Sequence, residues 1–120
     1  MYPEGWRTRL EDILEAIQNV QSYVRGMTFD EFASDMKTIK AAAFEIAVVG
    51  EAASHVPEDL QTRFPDIPWN KMVGMRNVVI HEYFRVDVQI LWQTIVENLP
   101  PLVPRLQDIL GKAPIGETSV

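Results

Sequence analysis

Residues 9–26 read RLEDILEAIQNVQSYVRG, and this stretch decides the fold class. Its apolar side chains follow one another at steps of three, one, three, three and four residues: Leu10, Ile13, Leu14, Ile17, Val20 and Val24. Side chains at this spacing share one face of an α-helix, so the stretch predicts an amphipathic helix packed against a core. Gly26 follows the last of them and predicts the end of this helix.

Helical spacing continues after Gly26. Thr28-Phe29-Asp30-Glu31 has the pattern of a capping box, in which a threonine and a glutamate three residues later satisfy backbone amides at a helix start. We therefore expect one long helix from Thr28, with small residues in its buried stripe that permit close helix approach: Ile39, Ala42, Ala43, Ile46, Val49, Gly50 and Ala53. It should end before Pro57, because a proline disfavours the helical conformation in the residue ahead of it.

The remaining segments are also helical in pattern. Pro57 and the two acids after it predict a short helix to about Arg63, and Trp69 begins another helical segment. Asp87 is the predicted N-cap of a segment that keeps three- and four-residue apolar spacing across Pro100-Pro101, where we expect a kink or break. With no alternating segments and no repeats, the sequence predicts an all-α bundle of four to five helices, as one domain at residues 1–111 with a frayed tail at 112–120.

Composition excludes several classes of protein. The chain has 120 residues, 47% of them hydrophobic, which suits one domain with its own core. It has no cysteine, and we find neither a membrane-spanning run nor a secretory signal, so we expect a cytoplasmic protein without a membrane partner. The net charge of −6 argues against a general nucleic-acid binder, and no DNA partner is expected. All of this excess acidity falls in residues 1–60, which leaves room for a local anion site in the second half around Arg63, Lys71, Arg76 and Arg85.

The candidate catalytic side chains lie in residues 75–84, MRNVVIHEYF. On a helix Asn77 and His81 are neighbours four residues apart, and the long Arg76 side chain can reach the same face. A fixed cation, an amide and a titratable imidazole are the groups needed for acid–base work on a phosphodiester. The alternative is purely structural: a histidine that caps a helix or lies half-buried, beside a solvated arginine.

A second pair of polar residues, Glu51 and His55, also has four-residue spacing. Two such residues can ligate a metal, but no third or fourth ligand is evident, so no metal and no cofactor are predicted. His55, just before Pro57, is expected to cap the C-terminus of its helix. Glu51 is either a plain surface acid or a partner that pairs with Arg76 across the bundle and holds it in place.

Arg76-Asn77-x-x-x-His81-x-Tyr83 resembles the R-x4-H-x-Y signature of HepT-like proteins, toxins of the HEPN superfamily that are encoded beside a minimal nucleotidyltransferase antitoxin. The likeness covers about residues 7–111. Further segments continue it in order: Arg9-Leu10-Glu11-Asp12-Ile13-Leu14, Val49-Gly50-Glu51-Ala52-Ala53, Phe64-Pro65-Asp66-Ile67-Pro68-Trp69, Gly74-Met75-Arg76-Asn77, His81-Glu82-Tyr83-Phe84, Val86-Asp87 and Leu99-Pro100.

The resemblance implies a HEPN-like helical homodimer with the motif near its two-fold axis, and metal-independent cleavage of RNA. It implies that Arg76 and His81 are the catalytic pair, that Asn77 is a supporting polar residue, and that the nucleotidyltransferase silences the toxin by attaching AMP to Tyr83. Without the resemblance, Tyr83 is equally well an aromatic plug at a helix end. Two other functions stay open: a non-catalytic module that docks a nucleotidyltransferase or a nucleotide, and a purely structural dimerisation bundle.

Overall fold

The structure, a computed structural model, describes residues 5–79 and 87–112. Within these ranges there are seven α-helices and one π-helical turn, and no β-strand. The helices are α1 (Trp6–Val24), α2 (Phe29–Ala33), α3 (Met36–Ser54), α4 (Glu58–Arg63), α5 (Trp69–Val79), α6 (Val88–Gln93) and α7 (Leu102–Lys112), and the π-helical turn is Thr94–Asn98. The predicted all-α class is therefore confirmed for the described part of the chain.

The first helix and the turn after it follow the sequence prediction. α1 ends at Val24, and Gly26 has a φ of 77°, a left-handed conformation that glycine adopts without steric cost. The capping box then starts α2. The backbone N–H of Glu31 donates to Thr28 Oγ1 at 3.2 Å, and the backbone N–H of Thr28 donates to Glu31 Oε1 at 2.8 Å.

The prediction of one long helix from Thr28 is wrong. α2 ends after a single turn, and α3 begins separately at Met36. The Asp35 side chain causes the restart, since Oδ1 accepts the backbone N–H of Thr38 at 3.1 Å and Oδ2 accepts the Thr38 hydroxyl at 2.7 Å. Short polar side chains compete in this way with a continuing helix.

The predicted number of four to five helices is also too low, because α2 and α3 are separate and the C-terminal segment is divided. α6 starts where expected, with Asp87 Oδ1 accepting the N–H of Ile90 at 3.0 Å. A π-helical turn follows, closed by a bond from the N–H of Leu99 to the carbonyl of Thr94, and α7 begins after Pro100-Pro101. The expected break at the prolines is confirmed. α7 includes Lys112, the first residue of the predicted tail, and residues 113–120 lie outside the described ranges.

α3 is the central helix and packs against α1 on one side and α5 on the other, while α7 packs against α1. The buried side chains of α3 include Ile39, Ala42, Ile46, Val49 and Ala53, all members of the predicted stripe. This position makes α3 the support on which α5 and its polar residues are placed. None of the helices in the described ranges is long and apolar enough to cross a membrane.

Candidate active site

α5 meets α3 at an unusually close contact between Gly50 and Arg76. A Cβ atom built on Gly50 would lie 2.8 Å from the backbone nitrogen of Arg76 and 3.1 Å from its Cβ atom. Real Cβ atoms do not approach backbone this closely, so only glycine permits the observed separation of the two helices. The predicted close approach along the small-residue stripe is confirmed, and it places Arg76 beside the first residue after Gly50.

Glu51, the residue after Gly50, forms an ion pair with Arg76. Nη1 of Arg76 donates to Glu51 Oε1 at 2.6 Å. The predicted contact across the bundle is therefore present, and the alternative of a plain surface acid is wrong. The side chains of Arg76 and Glu51 are 42% and 59% exposed, so the pair lies at the surface and is open to a ligand.

The other oxygen of Glu51 contacts His55. Glu51 Oε2 lies 2.9 Å from His55 Nε2, and the imidazole is 50% exposed. Hydrogen bonds from His55 and Arg76 hold the pKa of the Glu51 carboxyl below its usual range. His55 is the C-cap residue of α3, as predicted, but its backbone N–H bonds to the carbonyls of Ala52 and Ala53, which leaves the ring available to Glu51.

Asn77 follows Arg76 on α5 and is exposed. His81 and Tyr83 lie outside the described residues, as does Arg85, so the predicted convergence of Arg76, Asn77 and His81 stays a prediction. The structure instead brings Arg76 together with Glu51 and His55.

A cavity of about 300 Å³ lies between α3, α5 and the C-terminal helices. Its wall combines apolar side chains with Lys71 of α5 and with Thr94 and Asn98 of the π-helical turn. Met75, which also lines the cavity, is adjacent in sequence to Arg76. Of the cations expected around an anion site, Lys71 therefore lines a cavity, whereas Arg63 lies in the last turn of α4.

One buried carboxylate was not anticipated. Glu45 is 7% exposed and is the only buried charged residue of the described ranges. Its Oε2 accepts the Tyr23 hydroxyl at 2.6 Å, and this hydrogen bond raises the pKa of Tyr23. The available signal was its position in α3 between Ala43 and Ile46, at the edge of the apolar stripe. The contact ties α3 to α1 and thus supports the helix that carries Glu51.

Among residues 5–79 and 87–112, no group of three or more histidine, aspartate and glutamate side chains is arranged to hold a metal ion. Glu51 and His55 do meet, but each oxygen of the carboxylate is already engaged, one by the imidazole and one by Arg76. The contacts of this pair are therefore those of a hydrogen-bonded network.

Comparison with known proteins agrees with the sequence resemblance. The sequence model of the family "Ribonuclease HepT-like" matches residues 13–109, which contain Glu51, Arg76 and the segment that follows Arg76. "Probable ribonuclease HepT" of Thermococcus cleftensis is 39% identical over 100 residues, covering 83% of this chain and 91% of the relative. "Putative RNase MJ0127" of Methanocaldococcus jannaschii is 36% identical over 104 residues, covering 87% and 86%. No solved structure matches the chain significantly. The chain belongs to the family of HepT-like ribonucleases.

Proposed function

We propose that the chain is the toxin of a type VII-like toxin–antitoxin pair and cleaves RNA internally, without a metal, at a site composed of two protomers. Arg76 and His81 are the catalytic residues, and Asn77 and Glu51 support them. A cognate minimal nucleotidyltransferase neutralises the toxin by attaching AMP to Tyr83. The main support is that the match to a ribonuclease family spans the Arg76–His81 motif. An RNA substrate favours action in the cytoplasm.

The chemistry of this proposal needs three groups. When a ribose 2′-hydroxyl attacks the adjacent phosphate, a base removes its proton, an acid protonates the leaving 5′-oxygen, and a cation stabilises the added charge on phosphorus. His81 serves as base or acid, because imidazoles change charge near neutral pH. Arg76 serves as the cation, since its planar guanidinium can bind two phosphate oxygens at once.

Two protomers are proposed because one chain carries one motif histidine, whereas a two-fold pair supplies both proton-transfer groups. The outer face of α3 supports this arrangement. Phe44 is 66% exposed, and it lies seven residues before Glu51, which is two helical turns along the same face. Met36, 60% exposed, extends this face toward the start of α3. Contiguous exposed apolar patches are typical of interfaces, and a second protomer docked at Phe44 would approach the Arg76–Glu51 pair.

Modification of Tyr83 fits the same chemistry. Tyr83 is two residues after His81 and seven after Arg76 in the sequence. AMP on its hydroxyl would add a bulky group with one negative charge beside a residue that binds phosphate. Steric blocking and pairing of the AMP phosphate with Arg76 would both exclude RNA.

The catalytic proposal is tested by incubating RNA with purified wild-type, Arg76→Ala and His81→Ala proteins in the presence of EDTA. Arg9→Ala is the matched control, because Arg9 is an exposed cation on α1. Wild type and the control should cleave, and the two motif variants should be slower by about 10²-fold or more. RNA binding without cleavage by the wild type would instead support the non-catalytic docking module.

The two-protomer site is tested with Phe44→Lys. We expect this variant to sediment as a monomer and to lose cleavage, because a charge placed in an apolar interface must be desolvated on association. Gln18→Lys, which adds the same charge at an exposed position of α1, is the control for a surface change away from this face. A Phe44→Lys protein that remains dimeric and active would rule out this face as the interface.

A further inference from the structure

The two contacts of Glu51 connect a second histidine to the proposed catalytic arginine. Glu51 Oε1 accepts from Arg76 Nη1 at 2.6 Å, and Glu51 Oε2 lies 2.9 Å from His55 Nε2. One carboxylate group is therefore all that separates the His55 imidazole from the Arg76 guanidinium. We infer that His55 is a positioning residue of this site and that it controls, through Glu51, how much of the Arg76 charge is available to a phosphate. The inference rests on the proposed role of Arg76 in binding RNA.

The charge of the three groups explains why such control is needed. A guanidinium is always protonated, and at neutral pH Glu51 cancels its charge at hydrogen-bond distance. With His55 neutral, the network has no net charge and offers a phosphate little attraction. With His55 protonated, the network carries one positive charge, and Glu51 has a second cation with which to pair. Arg76 can then exchange its contact with Glu51 for contact with a phosphate oxygen.

Exposure of the three side chains supports a role toward a ligand. They are 42%, 59% and 50% exposed for Arg76, Glu51 and His55, so none is enclosed in the core. Exposed ion pairs contribute little to folding stability, which argues against a mainly structural purpose. The backbone beneath them is nevertheless held in place, by the close contact of Gly50 with α5 and by the bond from Ser54 Oγ to the carbonyl of Glu51.

The charged groups nearest to His55, along the chain or through Glu51, belong to α3, α4 and α5. His55 is at the C-terminal end of α3, where the helix dipole favours a cation. α4 begins three residues later with Glu58 and Asp59, both acidic, and α5 contributes Arg76. Of these charged groups, Glu51 is the one shown in contact with the imidazole.

The test uses the fact that the chain contains two histidines, His55 and His81. In full-length His81→Ala protein, any imidazole titration between about pH 5 and 8 belongs to His55. NMR of the side-chain N–H groups should show Arg76 signals that move together with the His55 ring signals as the pH changes. The Arg76 signals should no longer follow pH in His81→Ala/His55→Gln and in His81→Ala/Glu51→Gln. Arg76 signals that ignore the His55 titration in the parent protein would overturn the inference, whatever the RNA assays show.

RNA binding provides the second measurement. A 2′-O-methylated RNA strand, whose 2′-oxygen cannot attack the phosphate, should bind His81→Ala protein about 2- to 5-fold more tightly at pH 6 than at pH 8, the range expected for one exposed charge. This dependence should vanish in both double variants and persist in His81→Ala/Thr62→Ala, which alters an exposed side chain of α4. A dependence that survives Glu51→Gln would show that His55 acts directly, against the inference. If wild type fails to cleave RNA but Arg76 follows His55, the proposed function fails and the positioning role stands.

Discussion

Gly50→Ala tests the helix contact that positions Arg76. The added methyl group would lie 2.8 Å from the Arg76 backbone nitrogen and 3.2 Å from the Met72 carbonyl oxygen, so backbone must move to admit it. Overpacking of this kind costs about 1–3 kcal/mol. Alanine in place of glycine within a helix raises the free energy of unfolding by roughly 0.5–1 kcal/mol, which partly offsets the cost of the clash.

Gly74→Ala is the matched control, because Gly74 lies in α5 and a Cβ atom there meets nothing within 4 Å. Both variants gain the helical preference of alanine, and only Gly50→Ala has the clash. Gly50→Ala should therefore be less stable than Gly74→Ala by about 1–3 kcal/mol, or about 4–12 °C in Tm for a chain of this size. Calorimetric melting measures the difference, and equal Tm values would refute the close contact.

Three further substitutions test other contacts. Thr28→Ala removes the hydroxyl that accepts the N–H of Glu31 and should lower the unfolding free energy by about 1 kcal/mol; an unchanged urea midpoint would contradict the capping box. Phe32→Ala empties a fully buried site and should cost about 3–5 kcal/mol in the same assay, so a loss below about 1 kcal/mol would disprove its burial. The Arg105 guanidinium lowers the pKa of the Asp66 carboxyl in the folded protein. Their pairing therefore stabilises the fold above the ordinary aspartate pKa of about 3.9. This stabilisation is lost as the pH falls through the lowered pKa of Asp66 in the folded state. The Tm difference between wild type and Asp66→Asn should accordingly shrink below about pH 4, and a difference that is constant with pH would exclude this explanation.

Most of the fold was predictable because its helix boundaries are local. The Thr28 capping box, the Gly26 stop and the Asp87 N-cap each depend on groups within a few residues, and each is present. The restart at Asp35 was missed although it is equally local. Its side chain can act as a cap or as an ordinary surface acid, and the apolar spacing on either side suits a continuous helix. Only the hydrogen bonds that Thr38 donates to the Asp35 carboxylate show that Asp35 is a cap and not an ordinary surface acid.

The site was predictable only in part, because its key contacts join residues far apart in the chain. The pairing of Glu51 with Arg76 crosses 25 positions, and sequence spacing alone left it as one of two alternatives. The register between α3 and α5 decides the outcome. The small-residue stripe predicts a close approach at Gly50, but it does not say which residue of α5 lies opposite. His55 was assigned correctly as a cap, but that assignment did not predict that its ring contacts Glu51, the carboxylate that pairs with Arg76.

An acidic chain that cleaves RNA must gain its phosphate affinity locally, because its overall charge of −6 repels the substrate. The Arg76–Glu51 pair does not attract RNA from a distance by itself, since its two opposite charges, joined by a 2.6 Å hydrogen bond, sum to zero. Bringing two protomers together doubles the number of such pairs, but the net charge of the pairs stays zero. In our inference a protonated His55 adds the positive charge that frees Arg76 for a phosphate, and in the proposed function a protonated His81 is the acid that the cleavage needs. On this reasoning, substrate binding and the protonation state required for catalysis are linked in one site.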